Sequence, residues 1–356
     1  MLRIRKRARR RGPVMCVSIG AMPRREVVHC TGSAGSAHSE QFENRSDCGR
    51  VEMVETTRVR PSWPESAAVT AVGDALVEDA AGDDITTLWS VPAGAVVRAE
   101  LIARDPGILA GLPALTEVFR QVDPAVVVEP GFVDGDHVEP GDVVAVVSGP
   151  AASIITGERV ALNFLQRMSG IATMAGALVE KLADLPVRVL DTRKTAPGLR
   201  ALDKYAVRAG GAHGHRLDLS TMVLLKENHV AVAGGVTAAL RAVRRGSRTE
   251  SRPVEVEIEV RTADEAREAL AAGADWLLLD NMAPRELRAV VALRDELGPG
   301  TKLEASGRIT ADTAMAVAAT GVDAMSLGAL THSVQALDLS LLVTEVDASG
   351  QRELRR

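Results

Sequence analysis

Charged and polar residues follow a series of short apolar segments in the second half of this 356-residue sequence. Residues 187–190 precede Asp-Thr-Arg-Lys-Thr, and residues 222–225 precede Lys-Glu-Asn-His. Later apolar segments lead into Asp-Asn at 280–281 and Ser-Gly at 306–307. Because so many polar clusters at corresponding places are hard to explain as solvated loops, this spacing predicts that they share one site.

The candidate site residues separate by charge. Five cationic or basic residues follow the earlier segments: Arg193, Lys194, His215, Arg216 and Lys226. Two acids, Glu259 and Asp280, follow the middle segments. Guanidinium groups pair with carboxylates and phosphates, so the cations predict a ligand with several anionic groups. The two carboxylates are hard oxygen donors, suited to Mg²⁺ or to sugar hydroxyls.

Glycine-containing loops follow the last two apolar segments, at Ser306-Gly307 and Gly328-Ala329, and each precedes a helical segment. Exposed backbone N–H groups at such places bind phosphate, and barrels often use their last two loops for this purpose. We therefore predict a pocket that takes a polycarboxylate at one end, a sugar in the middle and a phosphate at the other.

The segments that position these residues alternate in pattern. The apolar segments are residues 187–190, 222–225, 254–260, 276–279, 303–305 and 324–325. Helical patterns lie between most of them, at residues 197–209, 236–245, 263–272, 284–296 and 311–319. This alternation predicts parallel strands with crossover helices, in an open α/β barrel of the TIM type rather than a short doubly wound sheet.

The preceding part of the chain mixes a predicted helix at residues 65–80 with short strands bounded by Pro and Gly. Such a mixture favours an α+β domain. Residues 158–185 have a long helical pattern, and we expect a break at Ser169-Gly170 because of the glycine.

The first eleven residues carry seven basic side chains and no acid. No apolar run follows them, which argues against a signal peptide. We predict a disordered extension or an upstream translation start, with the working protein beginning near Met53. The predicted parts are residues 1–60 as this extension, 61–170 as the N-terminal α+β domain, 171–333 as the catalytic barrel and 334–356 as a tail returning to the N-terminal domain.

Composition excludes several classes of protein. The formal net charge is -5 and aromatic residues make up 2% of the sequence, so no nucleic-acid partner is expected. No run reaches the roughly 18 to 20 apolar residues of a membrane span, so no membrane partner is expected. All three cysteines lie in the first fifty residues, which argues against a disulfide framework and favours a cytoplasmic protein.

Residues 191–200, DTRKTAPGLR, resemble the DTRKTxPGLR signature of the quinolinate phosphoribosyltransferase family, a type II phosphoribosyltransferase family. Residues 158–165, ERVALNFL, resemble its ERxALNFL helix. Further motifs are similar and stand in the same order: Lys204-Tyr205-Ala206-Val207, Gly210-Gly211, His215-Arg216, Lys226-Glu227-Asn228-His229, Leu279-Asp280-Asn281-Met282, Leu303-Glu304-Ala305-Ser306-Gly307 and Gly328-Ala329-Leu330-Thr331-His332-Ser333. The similarity extends over residues 61–334.

This resemblance implies an N-terminal α+β sandwich domain beside an open α/β barrel, in a homodimer whose active sites are completed across the interface. It implies that quinolinate and phosphoribosyl pyrophosphate are converted to nicotinate mononucleotide, pyrophosphate and carbon dioxide with Mg²⁺, on the de novo route to NAD.

The resemblance also implies contacts to quinolinate. Arg193, Arg216 and Lys226 would hold its two carboxylates, and Arg159 of the partner subunit would join them. His215 would line the same pocket.

The remaining implied roles concern phosphoribosyl pyrophosphate. Lys194 would lie at the reacting centre near the pyrophosphate, whereas Glu259 and Asp280 would bind the ribose hydroxyls and the metal; these three are the implied catalytic residues. The other implied substrate contacts are Thr192, Ser306, Gly307, Arg308, Gly328, Ala329, Leu330 and His332.

Three positions depart from the family pattern. Gly214 stands where Asn often precedes His-Arg, which removes a hydrogen bond that would orient the loop. Glu227 replaces Asp beside Lys226, and Arg308 follows Ser306-Gly307 where a second Gly is common.

Alternative functions are a molybdenum-transport-associated relative of the same fold, a Schiff-base aldolase that uses Lys194 or Lys226, and a non-catalytic metabolite-binding barrel. The complete set of cations argues against the first alternative.

Several polar residues have a structural interpretation. Asp203 and Arg208 are assigned to a solvated helix face, and His229 to a structural hydrogen bond. Asp134 and Asp136 are assigned to a hairpin turn because the ligand spacing of a calcium loop is absent.

Overall fold

The computed structural model describes residues 61–347, so the extension predicted over residues 1–60 and the end of the tail lie outside the described residues. The described chain contains a four-stranded antiparallel sheet, a six-stranded parallel sheet and a two-stranded sheet, with helices packed against them. The mixed α/β class predicted from the sequence is confirmed.

The antiparallel sheet combines the N-terminal part of the described chain with its C-terminal end. Its strands are β1 (Val96–Ala103), β3 (Val127–Pro130), β5 (Val143–Pro150) and β12 (Leu339–Asp347), in the order β12-β1-β5-β3. Side chains of β1 alternate between buried and more exposed positions, as expected for a strand with one face on a core. Leu339 pairs with Ala103 and Asp347 with Val96, so the C-terminal strand returns along β1.

This part of the chain also contains short helices. They are α1 (Glu65–Glu78), a 3₁₀ turn (Ala81–Asp83), α2 (Ile85–Ser90) and α3 (Leu112–Val122), while β2 (Gly107–Ile108) pairs with β4 (His137–Val138). Of these helices, α3 contacts the sheet at β3. The Asp134 carboxylate accepts the backbone N–H groups of Gly111 at 2.9 Å and Leu112 at 3.0 Å. Asp134 therefore satisfies the first turn of α3, a structural role of the kind assigned to it from the sequence.

The long helix α4 (Ala151–Lys181) runs without interruption through Ser169 and Gly170, so the predicted break is wrong. A Cβ on Gly170 would lie 2.0 Å from the carbonyl oxygen of Gln335. The glycine therefore permits close approach of another chain segment and does not end the helix. Ser169 is buried, and its hydroxyl accepts the N–H of Ala110 at 3.1 Å.

The parallel sheet has the order β6-β11-β10-β9-β8-β7, with β6 and β7 at its two edges. Its strands are β6 (Arg188–Leu190), β7 (Val223–Leu225), β8 (Val256–Val260), β9 (Trp276–Asp280), β10 (Lys302–Ser306) and β11 (Ala324–Ser326). The helices of this part are α5 (Arg200–Ala209), α6 (Glu227–Ala233), α7 (Val236–Thr249), α8 (Ala263–Ala271), α9 (Pro284–Leu297), α10 (Ala311–Ala318) and α11 (Ala329–His332). This is the open strand-helix alternation that the sequence predicts.

Successive side chains of a strand point to opposite faces of the sheet, and β8 shows the consequence for the site. In β8, Val256, Ile258 and Val260 belong to the apolar core. Glu257 and Glu259 alternate with them and therefore face the opposite side of the strand. The face of β8 opposite its apolar side chains therefore carries two carboxylates.

The interpretation of Asp203 as part of a solvated helix face is wrong. Asp203 is fully buried, and its carboxylate accepts hydrogen bonds from Arg167 at 2.9 and 3.0 Å. The backbone N–H of Ala196 donates to the same carboxylate at 3.1 Å. Asp203 therefore joins α5 to α4 and to the loop after β6. Arg208 is half-buried.

Over residues 61–347, no helix has the length and apolar character needed to cross a membrane.

Candidate active site

A cavity of about 400 Å³ opens at the carboxyl ends of the parallel strands. Its lining residues come from the strand ends and the loops that follow them: Thr192, Arg193, Lys194, His215, Arg216, Leu224, Lys226, Glu259, Leu278, Asp280, Asn281, Glu304, Ser306, Gly307, Arg308 and Ser326. The structure therefore brings together the two arginines, two lysines and two acids that the sequence singles out.

Five of the candidate residues do not line the cavity. Arg159 is exposed on α4, and Leu330 is buried in the core. Gly328, Ala329 and His332 belong to the segment that begins α11.

One wall of the cavity carries positive charge without a matching acid. The Nε atom of Arg193 is buried and has no hydrogen-bond partner among the described residues. Arg216 donates from Nη1 to the carbonyl oxygen of Met222 at 3.2 Å. Burial and the neighbouring Arg193 both lower the pKa of Arg216. An anionic ligand would relieve this cost, because buried guanidinium groups are stable when paired.

A buried ion pair anchors the loops that carry these arginines. Lys204 of α5 donates to Asp191 at the end of β6, and both side chains are almost fully buried. The same carboxylate oxygen accepts the backbone N–H of His215 at 2.8 Å. Burial is the largest influence on the pKa of both groups, raising that of Asp191 and lowering that of Lys204. The sequence analysis assigns this pair no role, because its members are thirteen residues apart and on different elements.

The opposite wall is acidic and is closed by a residue that the sequence analysis misses. Lys226 Nζ lies 2.6 Å from a carboxylate oxygen of Glu259. Arg261 lies 3.3 Å from the other Glu259 oxygen, 3.4 Å from Glu227 and 3.8 Å from Asp280. Arg261 immediately follows β8, so its place after an acidic strand is the sequence signal that could have identified it. At this wall the two cations Lys226 and Arg261 are therefore shared among three carboxylates, those of Glu227, Glu259 and Asp280.

A tight glycine loop forms the end of the cavity beyond the acids. Gly307 has a φ of +93°, and a Cβ there would lie 2.5 Å from Oδ1 of Asn281, so only glycine fits. Asn281 and Arg308 are non-glycine residues in the left-handed region, with φ values of 56° and 52°. The hydroxyls of Ser306 and Ser326 are 3.0 Å apart. Hydroxyls, an arginine and a turn of backbone N–H groups suit a phosphate.

The start of α11 is tied to the loop after β6. Thr331 donates from Oγ1 to the carbonyl oxygen of Lys194 at 2.8 Å. A Cβ on Gly328 would lie 2.9 Å from Cδ of Lys194 and 3.0 Å from the ring of His332. Gly328 therefore lies close to His332 and to Lys194, and Lys194 lines the cavity.

A buried cluster, here called the floor cluster, consists of His215, Glu257 and Glu304. Nε2 of His215 is 3.0 Å from Glu257 and 3.4 Å from Glu304. Burial raises the pKa of Glu304 to about 8, and the adjacent Glu257 carboxylate adds to the increase. Burial by itself lowers the pKa of His215, but hydrogen bonding and charge from the two carboxylates give a net increase. Neither Glu257 nor Glu304 is among the candidate site residues predicted from the sequence.

The assignment of His229 to a structural hydrogen bond agrees with the structure. Its Nδ1 accepts the backbone N–H of Lys226 at 3.0 Å, which fixes the start of α6.

Family models cover most of the described chain. The model described as "Quinolinate phosphoribosyl transferase, C-terminal domain" matches residues 171–342, and the one described as "Quinolinate phosphoribosyl transferase, N-terminal domain" matches residues 84–169. 

Similar proteins share these two parts. The chain is 42% identical, over 75% of its own length and 90% of the relative, to a probable nicotinate-nucleotide pyrophosphorylase (carboxylating) of Bacillus subtilis (strain 168). It is 42% identical to the chloroplastic nicotinate-nucleotide pyrophosphorylase (carboxylating) of Oryza sativa subsp. japonica, over 83% of each chain. The structure of the nicotinate-nucleotide pyrophosphorylase from Francisella tularensis superposes with a TM-score of 0.74 at 36% identity, covering 80% of this chain and 98% of that one. With both family models matched and relatives of this identity, the chain belongs to the quinolinate phosphoribosyltransferase family.

Proposed function

We propose that this chain transfers the phosphoribosyl group of phosphoribosyl pyrophosphate to the ring nitrogen of quinolinate, with loss of the neighbouring carboxylate. The products are nicotinate mononucleotide, pyrophosphate and carbon dioxide, in the biosynthesis of NAD. The observation that carries this proposal is the cavity itself, where unmatched arginines face an acidic wall across a single pocket. Family membership and the names of the matched relatives support the same reaction.

At the cationic wall, Arg193 and Arg216 would pair with the two carboxylates of quinolinate, and Lys226 would add a third positive group. Nε of Arg193 lacks a hydrogen-bond partner among the described residues, and the Arg193 side chain lines the cavity. Planar guanidinium groups bind carboxylates through two hydrogen bonds, which would fix the ring in one orientation. Thr192 and His215 line the same region.

At the acidic wall, Glu259 and Asp280 would face the ribose. Breaking the bond between ribose and pyrophosphate develops positive charge on the sugar, and fixed carboxylates stabilise that charge. Lys194 lines the same cavity and lies close to Gly328 at the start of α11, and its ammonium would stabilise charge on the leaving pyrophosphate.

The acidic wall also suits the Mg²⁺ expected from the family resemblance. Its donors are carboxylate oxygens, which hard divalent cations prefer. We propose that Glu259 and Asp280 hold the ion. When bound, Mg²⁺ would offset the negative charge of pyrophosphate.

The glycine loop would bind the 5′-phosphate. Ser306, Gly307 and Arg308 line this end of the cavity, and Gly307 and Arg308 both have left-handed backbone conformations. The start of α11 would complete the phosphate site, with contacts from Gly328, Ala329, Leu330 and His332. Leu330 is buried, so its contribution would come from its backbone.

We further propose a homodimer in which Arg159 enters the cavity of the partner. Arg159 is exposed on α4 and lies outside the cavity of its own chain. An arginine supplied across an interface would explain why a residue of the ERVALNFL motif does not line its own cavity. The proposal places the reaction in the cytoplasm, as the cysteine distribution predicts.

The alternatives fit less well. A Schiff-base lysine must be an unpaired amine, whereas Lys226 lies 2.6 Å from Glu259. The names of the matched relatives favour phosphoribosyl transfer over the molybdenum-transport alternative.

The test is incubation of the full chain with quinolinate, phosphoribosyl pyrophosphate and Mg²⁺. We expect pyrophosphate and carbon dioxide to be released in equal amounts. Nicotinate serves as the control substrate, because it lacks the carboxylate that is lost. Product from nicotinate but not from quinolinate would contradict the proposal.

A further inference from the structure

Two buried acids of the floor cluster have no part in the substrate contacts proposed above. Glu304 occupies the inward position next below Ser306 on β10, and Glu257 the inward position next below Glu259 on β8. Glu304 is 1% exposed and lines the cavity, and its Oε1 has no hydrogen-bond partner among the described residues. The reactive cavity therefore has a carboxyl group with an uncommitted oxygen in its floor.

The surroundings of Glu304 favour its protonated form. Glu304 is faced by His215 from the loop after α5, Glu257 from β8 and Ser326 from β11, and the charge of Arg216 acts on Glu257. Lys204 and Asp191 lie behind His215 and pair with each other. In the described part of the chain, neither Glu257 nor Glu304 forms an ion pair with Lys or Arg. Ionising Glu304 in this buried site, beside the carboxylate of Glu257, is therefore costly, which favours its protonated form.

The orientation of His215 indicates where that proton lies. The backbone N–H of Arg216 donates to Nδ1 of His215 at 2.7 Å, so Nδ1 is an acceptor and the ring proton is on Nε2, facing Glu257. A metal ion on Nε2 would force the ring proton onto Nδ1, against the Arg216 N–H. The cluster is therefore arranged to hold protons, with His215 hydrogen-bonded to Glu257 and the extra proton on Glu304.

The reaction proposed above, on which this inference rests, consumes a proton inside the cavity. The bond between ring carbon C2 and its carboxylate breaks, carbon dioxide leaves, and the electron pair stays on C2 beside the cationic ring nitrogen. A proton must then form the new C–H bond at C2.

We propose that Glu304 is the general acid that supplies this proton. The O–H bond of Glu304 breaks as the C–H bond at C2 forms, and the resulting carboxylate is protonated again from solvent after the product leaves. His215 acts as a positioning residue, because its Nε2–H donates a hydrogen bond to Glu257 and so fixes that carboxylate beside Glu304. Arg216, adjacent in sequence to His215, would hold the substrate ring over this floor.

The first test is Glu304→Gln, which preserves shape and hydrogen bonding but has no acidic proton. We expect the single-turnover rate of nicotinate mononucleotide formation to fall by about 100-fold or more, within the usual range for a general acid. The KM for quinolinate should change by less than about threefold, because ground-state binding is retained. Glu255→Gln is the matched control. Glu255 lies two residues before Glu257 but is exposed, and its variant should keep the wild-type rate.

The second test identifies the donor without relying on the rate. In an equal mixture of H₂O and D₂O, the ratio of hydrogen to deuterium at C2 of the product reflects the group that delivers the proton. We expect this ratio to differ between the wild type and Glu304→Gln, and to match the wild type in Glu255→Gln. Within the wild type alone, the ratio should change as the pH rises through about 8, where Glu304 loses its proton.

The outcomes separate cleanly. A wild-type rate in Glu304→Gln overturns the proposal, and so does an unchanged isotope ratio in a slow variant, because a slow variant with the same donor indicates a structural role. If Glu304→Gln does not fold, a wild-type ratio that is constant across pH 7 to 9 overturns it instead. A wild-type chain that forms no nicotinate mononucleotide contradicts the proposed function and not the choice of acid.

Discussion

The guanidinium of Arg261 lies between the carboxylates of Glu259 and Asp280, 3.3 Å from the first and 3.8 Å from the second. It therefore occupies the acidic wall to which we assign Mg²⁺, and it neutralises the charge there. A divalent cation must compete with this side chain for the same oxygens.

Arg261→Gln is expected to tighten divalent-cation binding. Removing one competing positive charge at a half-exposed site is worth about 1 kcal/mol, or roughly fivefold in Kd. The measurement is titration of the full chain with Mn²⁺, followed by the paramagnetic resonance signal of the free ion. Arg288→Gln, an exposed arginine on α9, is the control for a general change in net charge. Equal or weaker Mn²⁺ binding in Arg261→Gln would show that the arginine does not compete.

Arg216→Ala is expected to weaken quinolinate binding by more than about tenfold. A charge-assisted pair to a carboxylate contributes at least about 1.5 kcal/mol, and the half-buried site strengthens it. Calorimetric titration with quinolinate gives Kd directly. Arg216→Lys keeps the charge but loses the planar fork, so its affinity should fall between those of the wild type and the alanine variant. An alanine variant with unchanged Kd would remove Arg216 from the carboxylate site.

The sequence predicts the cavity well because strand ends in a parallel sheet meet at one edge. Arg193, Glu259 and Asp280 lie at or just after the ends of strands, so their common location depends only on the alternation of strands and helices. No knowledge of side-chain conformation is needed. Arg216 lies between α5 and β7, in a segment that His213 bridges to Leu190 of β6. The position of Arg159 is different, because its proposed role depends on a second chain.

The floor cluster could not be predicted, because it depends on depth as well as parity. The alternation in β8 shows that Glu257 faces inward, but it does not show which residue of β10 lies near it. Pairing through β9 aligns Glu304 with Leu278 and Leu278 with Glu259, so Glu304 meets Glu257 across a two-residue stagger. Strand register between segments distant in sequence is not encoded in a local pattern.

Gly170 shows the opposite failure, where a local rule gives the wrong answer. A glycine in a helical pattern usually signals weakness, yet here α4 continues because the backbone at Gln335 packs against it. The role of Gly170 is therefore set by a tertiary contact and not by the local sequence pattern.

Lys204→Met is expected to destabilise the fold by about 3 kcal/mol. The change leaves Asp191 buried without its ion-pair partner, and removing one member of such a pair typically costs 3 to 5 kcal/mol. We expect a cost at the lower end of this range because burial already raises the pKa of Asp191, so its carboxyl group can accept a proton instead of remaining charged. Urea unfolding at pH 7 measures the effect. Arg288→Met, at an exposed arginine of α9, should change the unfolding free energy by less than about 0.5 kcal/mol. Similar losses in the two variants would contradict a specific role for the pair.

Gly214→Asn is expected to stabilise the loop that carries His215 and Arg216. Oδ2 of Asp191 is buried without a hydrogen-bond partner among the described residues, and a Cβ on Gly214 would lie 3.8 Å from it. An Asn amide at this position can donate to that oxygen, a hydrogen bond worth about 1 kcal/mol. Thermal unfolding compares Gly214→Asn with Gly214→Ala, which adds the Cβ but no donor. If the alanine variant gains as much stability as the asparagine variant, the amide makes no such bond.

Glu304 should make the stability of the fold depend on pH in a defined direction. Its pKa is about 8 in the folded chain, against an ordinary value of 4.5 in the unfolded chain. The folded state therefore binds more protons between these values, so stability falls as the pH rises from 4.5 to about 8 and this contribution levels off above that range. Glu304→Gln removes this dependence, so the variant should gain stability relative to the wild type between pH 5 and pH 9. Chemical unfolding across this range gives the two curves, with Glu255→Gln expected to follow the wild type. Parallel curves for Glu304→Gln and the wild type would mean that Glu304 is ionised throughout and could not deliver a proton at neutral pH.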